Sequence, residues 1–290
     1  MVNFIQTLIN GISNGGVYAL IAVGLTMIVG VLKAVNFAQG DCLTIGLYLT
    51  FLLQQLTGWD PLLLLIPVAI LSYVIGSGIF EIVVYPVMHK ERTTFTITTL
   101  GLSYVLATTI LLIFGAKGLS VDSVLQGKAV RFGAFSISAP RLVSLLVMLI
   151  FVLVLDYFLK RTDMGRSMRA TAENKEVSQM LGINTKKVSR TTFSLGIMFA
   201  GVAGLMISPT YYLYPSIGGS FTILAMCCVV IGGLGNVFGA VLSGMMIGIL
   251  EALIGTYISV DLSAGAAFIL LIFVLIFTPN GLFGKGERVA

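Results

Sequence analysis

Charged residues are scarce in this sequence: Asp, Glu, Lys and Arg make up 10% of its 290 residues, against about 25% in an ordinary soluble domain. With 57% hydrophobic residues and a mean hydropathy of +1.04, the chain cannot cover itself with a water-facing surface. The apolar material runs along the whole length, which points to one integral membrane domain over residues 1–290. Histidine is rarer still. The only one, His89, stands beside Lys90, Glu91 and Arg92, where a solvated loop residue is the expected role. There is no Ser–His–acid set, no metal-ligand cluster and no phosphate-cradling Gly-rich loop. The chain is therefore expected not to be an enzyme, to hold no metal or cofactor, and not to bind ATP itself. Cys42, Cys227 and Cys228 lie in apolar runs without the spacing of a disulfide framework and read as buried small hydrophobes. The N-terminus lacks a positive n-region and a cleavage site, so its apolar run is expected to be kept as a span.

What the sequence does have is apolar runs cut by charges. A span needs roughly 20 predominantly apolar residues, and candidates cover 4–32, 42–57, 61–87, 94–115, 141–159, 191–208, 221–235, 237–257 and 262–279. The expected fold is an all-α polytopic membrane bundle of about eight to ten spans. The runs 42–57 and 221–235 are expected to be short helices among neighbours or re-entrant half-crossings. Glycine is abundant, 33 in all, with close spacings at Gly235/Gly239, Gly244/Gly248, Gly76/Gly78 and Gly201/Gly204. Such residues let helix backbones approach closely in lipid. A short similarity between Asn36-Phe37-Ala38-Gln39-Gly40 and Asn236-Val237-Phe238-Gly239-Ala240 hints at an internal repeat.

The net charge of +5 does not point to nucleic acid, because eight of the 17 basic residues crowd into 160–190: Lys160, Arg161, Arg166, Arg169, Lys175, Lys186, Lys187 and Arg190. Cytoplasmic loops carry such an excess, which places this loop, the His89–Arg92 turn and the tail Lys285–Arg288 inside, and the uncharged N-terminus outside. Lys117, Lys128 and Arg131 of the loop 116–140 then fall outside. Acidic residues within spans are costly and hence functional candidates; Asp41, Glu81, Asp156 and Glu251 qualify, with structural pairing favoured over solute contact. Within the basic loop, Asn174 can cap a short helix over Lys175–Leu181 and Gly182 can end it in the left-handed conformation. Val177, Met180 and Leu181 would form its apolar edge, for a partner or for acidic lipid.

The run Gly165-Arg166-Ser167-Met168-Arg169-Ala170-Thr171-Ala172-Glu173-Asn174, followed by Leu181-Gly182-Ile183-Asn184, resembles the cytoplasmic coupling loop of branched-chain amino-acid ABC-transporter permeases. Further matches are Asn36-Phe37-Ala38-Gln39-Gly40-Asp41, Val230-Ile231-Gly232-Gly233-Leu234-Gly235-Asn236 and Thr278-Pro279-Asn280-Gly281-Leu282-Phe283-Gly284. Length and the segment from Asn10-Gly11 to Gly24 look more like the smaller of the family's two permease subunits. The resemblance implies an importer in the bacterial inner membrane, with a second permease subunit, two cytoplasmic ATPase subunits carrying ATP and Mg, and an extracytoplasmic solute-binding protein. It implies ATPase coupling through Arg166, Arg169, Ala172, Glu173, Asn174, Ser178, Leu181 and Gly182. Candidate pathway residues are Asn36, Phe37, Gln39, Gly40, Asp41, Gly232, Gly233, Gly235, Asn236 and Glu251. The family often has His where Gln39 stands, and its members also carry urea, short amides or other amino acids, so the solute stays open. A self-sufficient channel or secondary carrier is the rival class.

Overall fold

The computed structural model describes residues 2–88, 90–132 and 135–284. His89 and the tail Lys285–Arg288, expected on the cytoplasmic side, lie outside the described residues. Each apolar run of the sequence forms a helix: α1 (Val2–Leu32), α2 (Gln39–Thr57), α3 (Leu65–Ile79), α4 (Arg92–Phe114) and α5 (Ala139–Arg161) come first. Between α4 and α5 a hairpin of β1 (Ala129–Phe132) and β2 (Phe135–Ser138) pairs antiparallel, Ala129 opposite Ser138. The basic loop is itself helical, as α6 (Asp163–Glu173) and α7 (Lys175–Met180). Then come α8 (Thr185–Ile207), α9 (Ile217–Gly232), α10 (Val237–Tyr257), the single turn α11 (Val260–Ser263) and α12 (Ala266–Phe277).

Six of these helices, α1, α3 with its terminal turn, α4, α5, α8 and α10, are long and apolar enough to cross a membrane. Residues 42–57 belong to α2, which has 19 residues but is too polar to qualify. Runs 221–235 and 262–279 yield the shorter apolar helices α9 and α12. Two boundaries move inward or outward for local reasons. Asp60 accepts the Leu62 backbone N–H (3.0 Å) in a turn, which delays α3 to Leu65. Asn184 caps α8 by accepting the Lys187 N–H (3.0 Å), so Lys186, Lys187 and Arg190 sit on that helix rather than in the loop.

The two faces of the bundle are fixed by loop contacts. On one face Gln6 of α1 accepts the Ser136 N–H (2.9 Å) of the hairpin, Asp60 accepts the Ser123 hydroxyl (3.0 Å), and Leu119 pairs with Leu213. The segment 116–140 therefore shares a face with the start of α1. The opposite face carries α6 and α7, the end of α3 and the turn between α9 and α10.

Glycines close the interior. α1 and α10 run antiparallel with Gly11 and Gly15 against Gly248 and Gly244; a Cβ on Gly248 would stand 2.5 Å from the Gly15 nitrogen, and one on Gly244 2.6 Å from that of Ala19. Gly78, singled out with Gly76, faces open space, whereas Gly76 is pressed against Ile197 and Ser194. The core gathers Leu20, Ile21, Leu25 and Ile28 of α1 with Leu43 and Leu47 of α2, Phe193 and Phe199 of α8, and Cys228 of α9. All three cysteines are buried and free.

Candidate functional site

The basic face presents a helical arm. Thr162 opens α6 by accepting the Gly165 N–H (3.0 Å) through its hydroxyl, and Gly165 lies against the last carbonyls of α5, at Phe158 and Leu159. Met168, 2% exposed, anchors α6 to Val31 of α1 and Val188 of α8. One face of α6 is thereby held, while Arg166 and Arg169 stay in solvent. Asn174 ends α6 and caps α7, its carboxamide oxygen accepting from Glu176 N and Val177 N, each at 3.0 Å. Gly182 follows at φ 81°, and the chain turns into α8.

The arm's outer side is apolar where solvent reaches it: Val177, Met180 and Leu181 are 49%, 84% and 75% exposed. Of the coupling residues suggested by sequence, Arg166, Arg169, Glu173, Asn174, Leu181 and Gly182 are exposed, and Ala172 is half-buried. Ser178 points inward, donating to the Asn174 carbonyl (2.8 Å), and so holds the helix rather than its surface. Burial lowers the Lys175 ammonium from its usual value.

The stretch Asn36–Asp41 folds into a polar knot inside the bundle. After α1 the chain reverses at Lys33, which adopts the left-handed region (φ 56°). Asn36 accepts the Ala38 N–H (3.1 Å) and donates to Gln39 (3.2 Å); Gln39 donates to the Gly196 carbonyl in the middle of α8 (3.0 Å). Gly40 N donates to the Thr222 hydroxyl of α9 (2.9 Å), Phe37 N to Thr99 of α4 (3.3 Å), and Ser103 of α4 to Asp41 (2.5 Å). These polar atoms are spent on three other helices, so α2 starts in the interior instead of at a membrane face. Unpaired, each would cost several kcal/mol in an apolar medium.

The other suggested pathway residues lie elsewhere. Gly232, Gly233, Gly235 and Asn236 form the α9–α10 turn on the basic face, where Asn236 caps α10 by accepting the Gly239 N–H (3.0 Å) and donates to the Phe283 carbonyl (3.0 Å). Asn236 caps its helix directly, whereas Asn36 lies two residues before Ala38, the N-cap of α2, and of the two only Asn36 is fully buried. Glu251 of α10 accepts the Tyr18 hydroxyl of α1 (2.7 Å). Tyr18 in turn lines a small cavity with Arg141, Ser144, Tyr211 and Phe221. Burial raises the Tyr211 hydroxyl above its ordinary value, with the Glu251 charge adding to this and Arg141 opposing it. Sequence reasoning missed Arg141, although a cation in the first turn of a helix, against the helix dipole, is a readable signal.

The remaining acids pair. Asp156 meets Lys160 one turn on (2.9 Å), and Glu81 meets Lys186 (3.0 Å) and Arg190 (3.4 Å). Among the described residues no three His, Cys, Asp or Glu side chains group as a metal site.

A bundle of apolar helices seamed by glycine, with a capped helical arm on its basic face, defines a polytopic helical membrane protein. The family model for the branched-chain amino acid transport system permease component matches residues 7–277. The chain is 33% identical over 298 residues to the high-affinity branched-chain amino acid transport system permease protein LivH of Salmonella typhimurium, covering 98% of this chain and 96% of that one. It is equally 33% identical to the corresponding permease BraD of Pseudomonas aeruginosa, over 98% and 97%. PsaBC from Streptococcus pneumoniae, solved in complex with Fab, superposes with a TM-score of 0.53 over 97% and 94% of the two chains at 12% identity, a likeness of fold alone. The chain belongs to the branched-chain amino acid transport permease family.

Proposed function

We propose that this chain is the non-catalytic permease subunit of an ABC importer that carries branched-chain amino acids across the bacterial inner membrane by alternating access. It works with a second permease subunit, two ATPase subunits that hold ATP and Mg, and an extracytoplasmic binding protein. The basic face meets the cytoplasm, which puts the start of α1 outside and the C-terminal end inside. The observation that carries this reading is the arm α6–α7, anchored by Met168 at one end and offering exposed Val177, Met180 and Leu181 at the other. An apolar edge held by a cap and rimmed with charge suits a cleft on an ATPase, whose closure on ATP would push on the bundle.

The test is uptake and ATP hydrolysis by the complete transporter in proteoliposomes. Gly182→Pro forces a residue fixed near φ −65° into a position at φ 81°, and Glu173→Arg reverses an exposed charge. Both variants should keep the subunit in the membrane and lower leucine uptake by about tenfold or more. Full transport in both would rule the docking surface out. Offering leucine, urea and acetamide to the binding protein in parallel checks the solute class.

A further inference from the structure

The end of α3 is joined to the start of α8 by ion pairs, a hydrogen bond and ring contacts. After Ile79 the helix widens into a π turn, Phe80–Val84, closed by Tyr85 N donating to the Phe80 carbonyl (2.7 Å). Such turns insert one residue, re-aim the side chains beyond them and cluster at functional positions. Here the turn carries Glu81, whose two carboxylate oxygens meet Lys186 (3.0 Å) and Arg190 (3.4 Å), one helical turn apart on a single face of α8. Each cation is also held by α3 or its end: Arg190 Nε donates to Ser77 (2.6 Å), and Lys186 lies 3.8 Å over the Tyr85 ring. Phe80 packs beside Phe193, ring centroids 6.0 Å apart.

The other end of this contact is the coupling arm. Gln179 of α7 donates to the hydroxyl of Thr185, the first residue of α8 (2.8 Å). Lys186 is the next residue along. A path of one hydrogen bond, one peptide link and one ion pair therefore runs from α7 through Thr185 and Lys186 to Glu81, and α4 is the next helix in the chain.

We propose that Glu81 is a positioning residue that latches α3 to the first turn of α8, so that displacement of α7 is passed to α3 and α4 instead of being lost in the loop. This rests on the reading of α7 as the ATPase-coupling helix. The side chains involved are 31% (Glu81), 45% (Lys186) and 50% (Arg190) exposed, and pairs so open to solvent add little to stability. The latch therefore transmits motion without being needed for the fold, and the softened π turn gives α3 a place to bend.

The experiment compares leucine transported per ATP hydrolysed by the complete transporter in proteoliposomes. Glu81→Gln should leave membrane level, ATPase association and basal hydrolysis unchanged and lower transport per ATP by about fivefold. Glu81→Lys should lower it further, and adding Lys186→Glu, which restores an opposite pair, should bring it back to within about threefold of the parent. Asp156→Asn, which removes the exposed pair with Lys160, should change nothing. Normal transport per ATP in Glu81→Gln, or no recovery in the reversed pair, overturns the latch. If Glu81→Gln fails to reach the membrane, the reversed pair alone decides. If Gly182→Pro uncouples transport but Glu81→Gln does not, the latch fails and the docking reading stands; if Gly182→Pro is also silent, the docking reading fails first.

Discussion

Helices α1 and α5 invite the wrong guess about which is inside. The most apolar stretch of α5 has the higher mean hydropathy, 2.8 against 2.2, yet 17% of it is buried in the protein against 89% for α1. Water would have chosen α5 for the core. Lipid offers apolar side chains nearly the same surroundings as a protein interior, so hydrophobicity does not rank the helices and close packing does. α1 holds Gly11, Gly15, Gly16, Gly24 and Gly30, while Ala139–Arg161 holds no glycine at all. The helix able to bring its backbone against its neighbours took the centre, and the one sheathed in Leu, Val and Ile was left at the periphery.

The comparison breaks most readily at the α1–α10 seam. Gly248→Leu would drive a branched side chain into the backbone of Gly11 and Gly15, an overpacking that should cost about 3 kcal/mol. Thermal unfolding of the purified subunit in detergent should show a large drop, or the variant should fail to accumulate in the membrane. An unshifted transition would mean that the seam is not closed as described. Gln39→Leu comes next. It takes away the second donor of the Gly196 carbonyl, which keeps its place in the α8 helix, and leaves the Asn36 carboxamide nitrogen in the interior without the Gln39 acceptor, at about 1–3 kcal/mol. The same melts measure it, and a neutral result would show that the knot at the start of α2 is dispensable.

The apolar runs were legible because membrane crossing imposes length and composition, and every candidate run contains a helix. The arm was legible in part: Asn174 and Gly182 are local signals, and both play the roles their residue types suggest. Burial order was not legible from hydropathy, for the reason α1 and α5 give. The stretch Asn36–Asp41 is a pathway candidate through the family resemblance; its hydrogen-bond partners Thr99, Gly196 and Thr222 are 62 to 185 residues away, beyond any local pattern. Glu81 is legible as an acid within a span, but its partners Lys186 and Arg190 depend on where α8 begins. The hairpin has a signal in the sequence, Val130, Phe132, Phe135 and Ile137 at alternate positions on either side of Gly133-Ala134.

A smaller effect separates the arm from the seam. Asn174→Ala removes the cap shared by two backbone N–H groups, worth about 1 kcal/mol, but only from α7. Global melting should move little while leucine uptake falls several-fold. A large shift in melting with normal uptake would reverse the assignment, making α7 a structural strut.

The smallest effect tests the periphery. Leu153 on α5 is 68% exposed, and Leu43 on α2 is fully buried, so the same substitution samples both environments. Leu43→Ala should cost about 2–5 kcal/mol, because neighbours fixed by α8 and α1 cannot close the space. Leu153→Ala in the isolated subunit should stay within about 0.5 kcal/mol, since detergent or lipid chains refill the surface. Repeating the second measurement on the assembled transporter sharpens the contrast. A cost that appears only there would show that the Leu153 face of α5 is covered by another subunit and not by lipid. A cost already present in the isolated subunit would contradict the peripheral placement of α5 and, with it, the rule that glycine and not hydropathy chose the core.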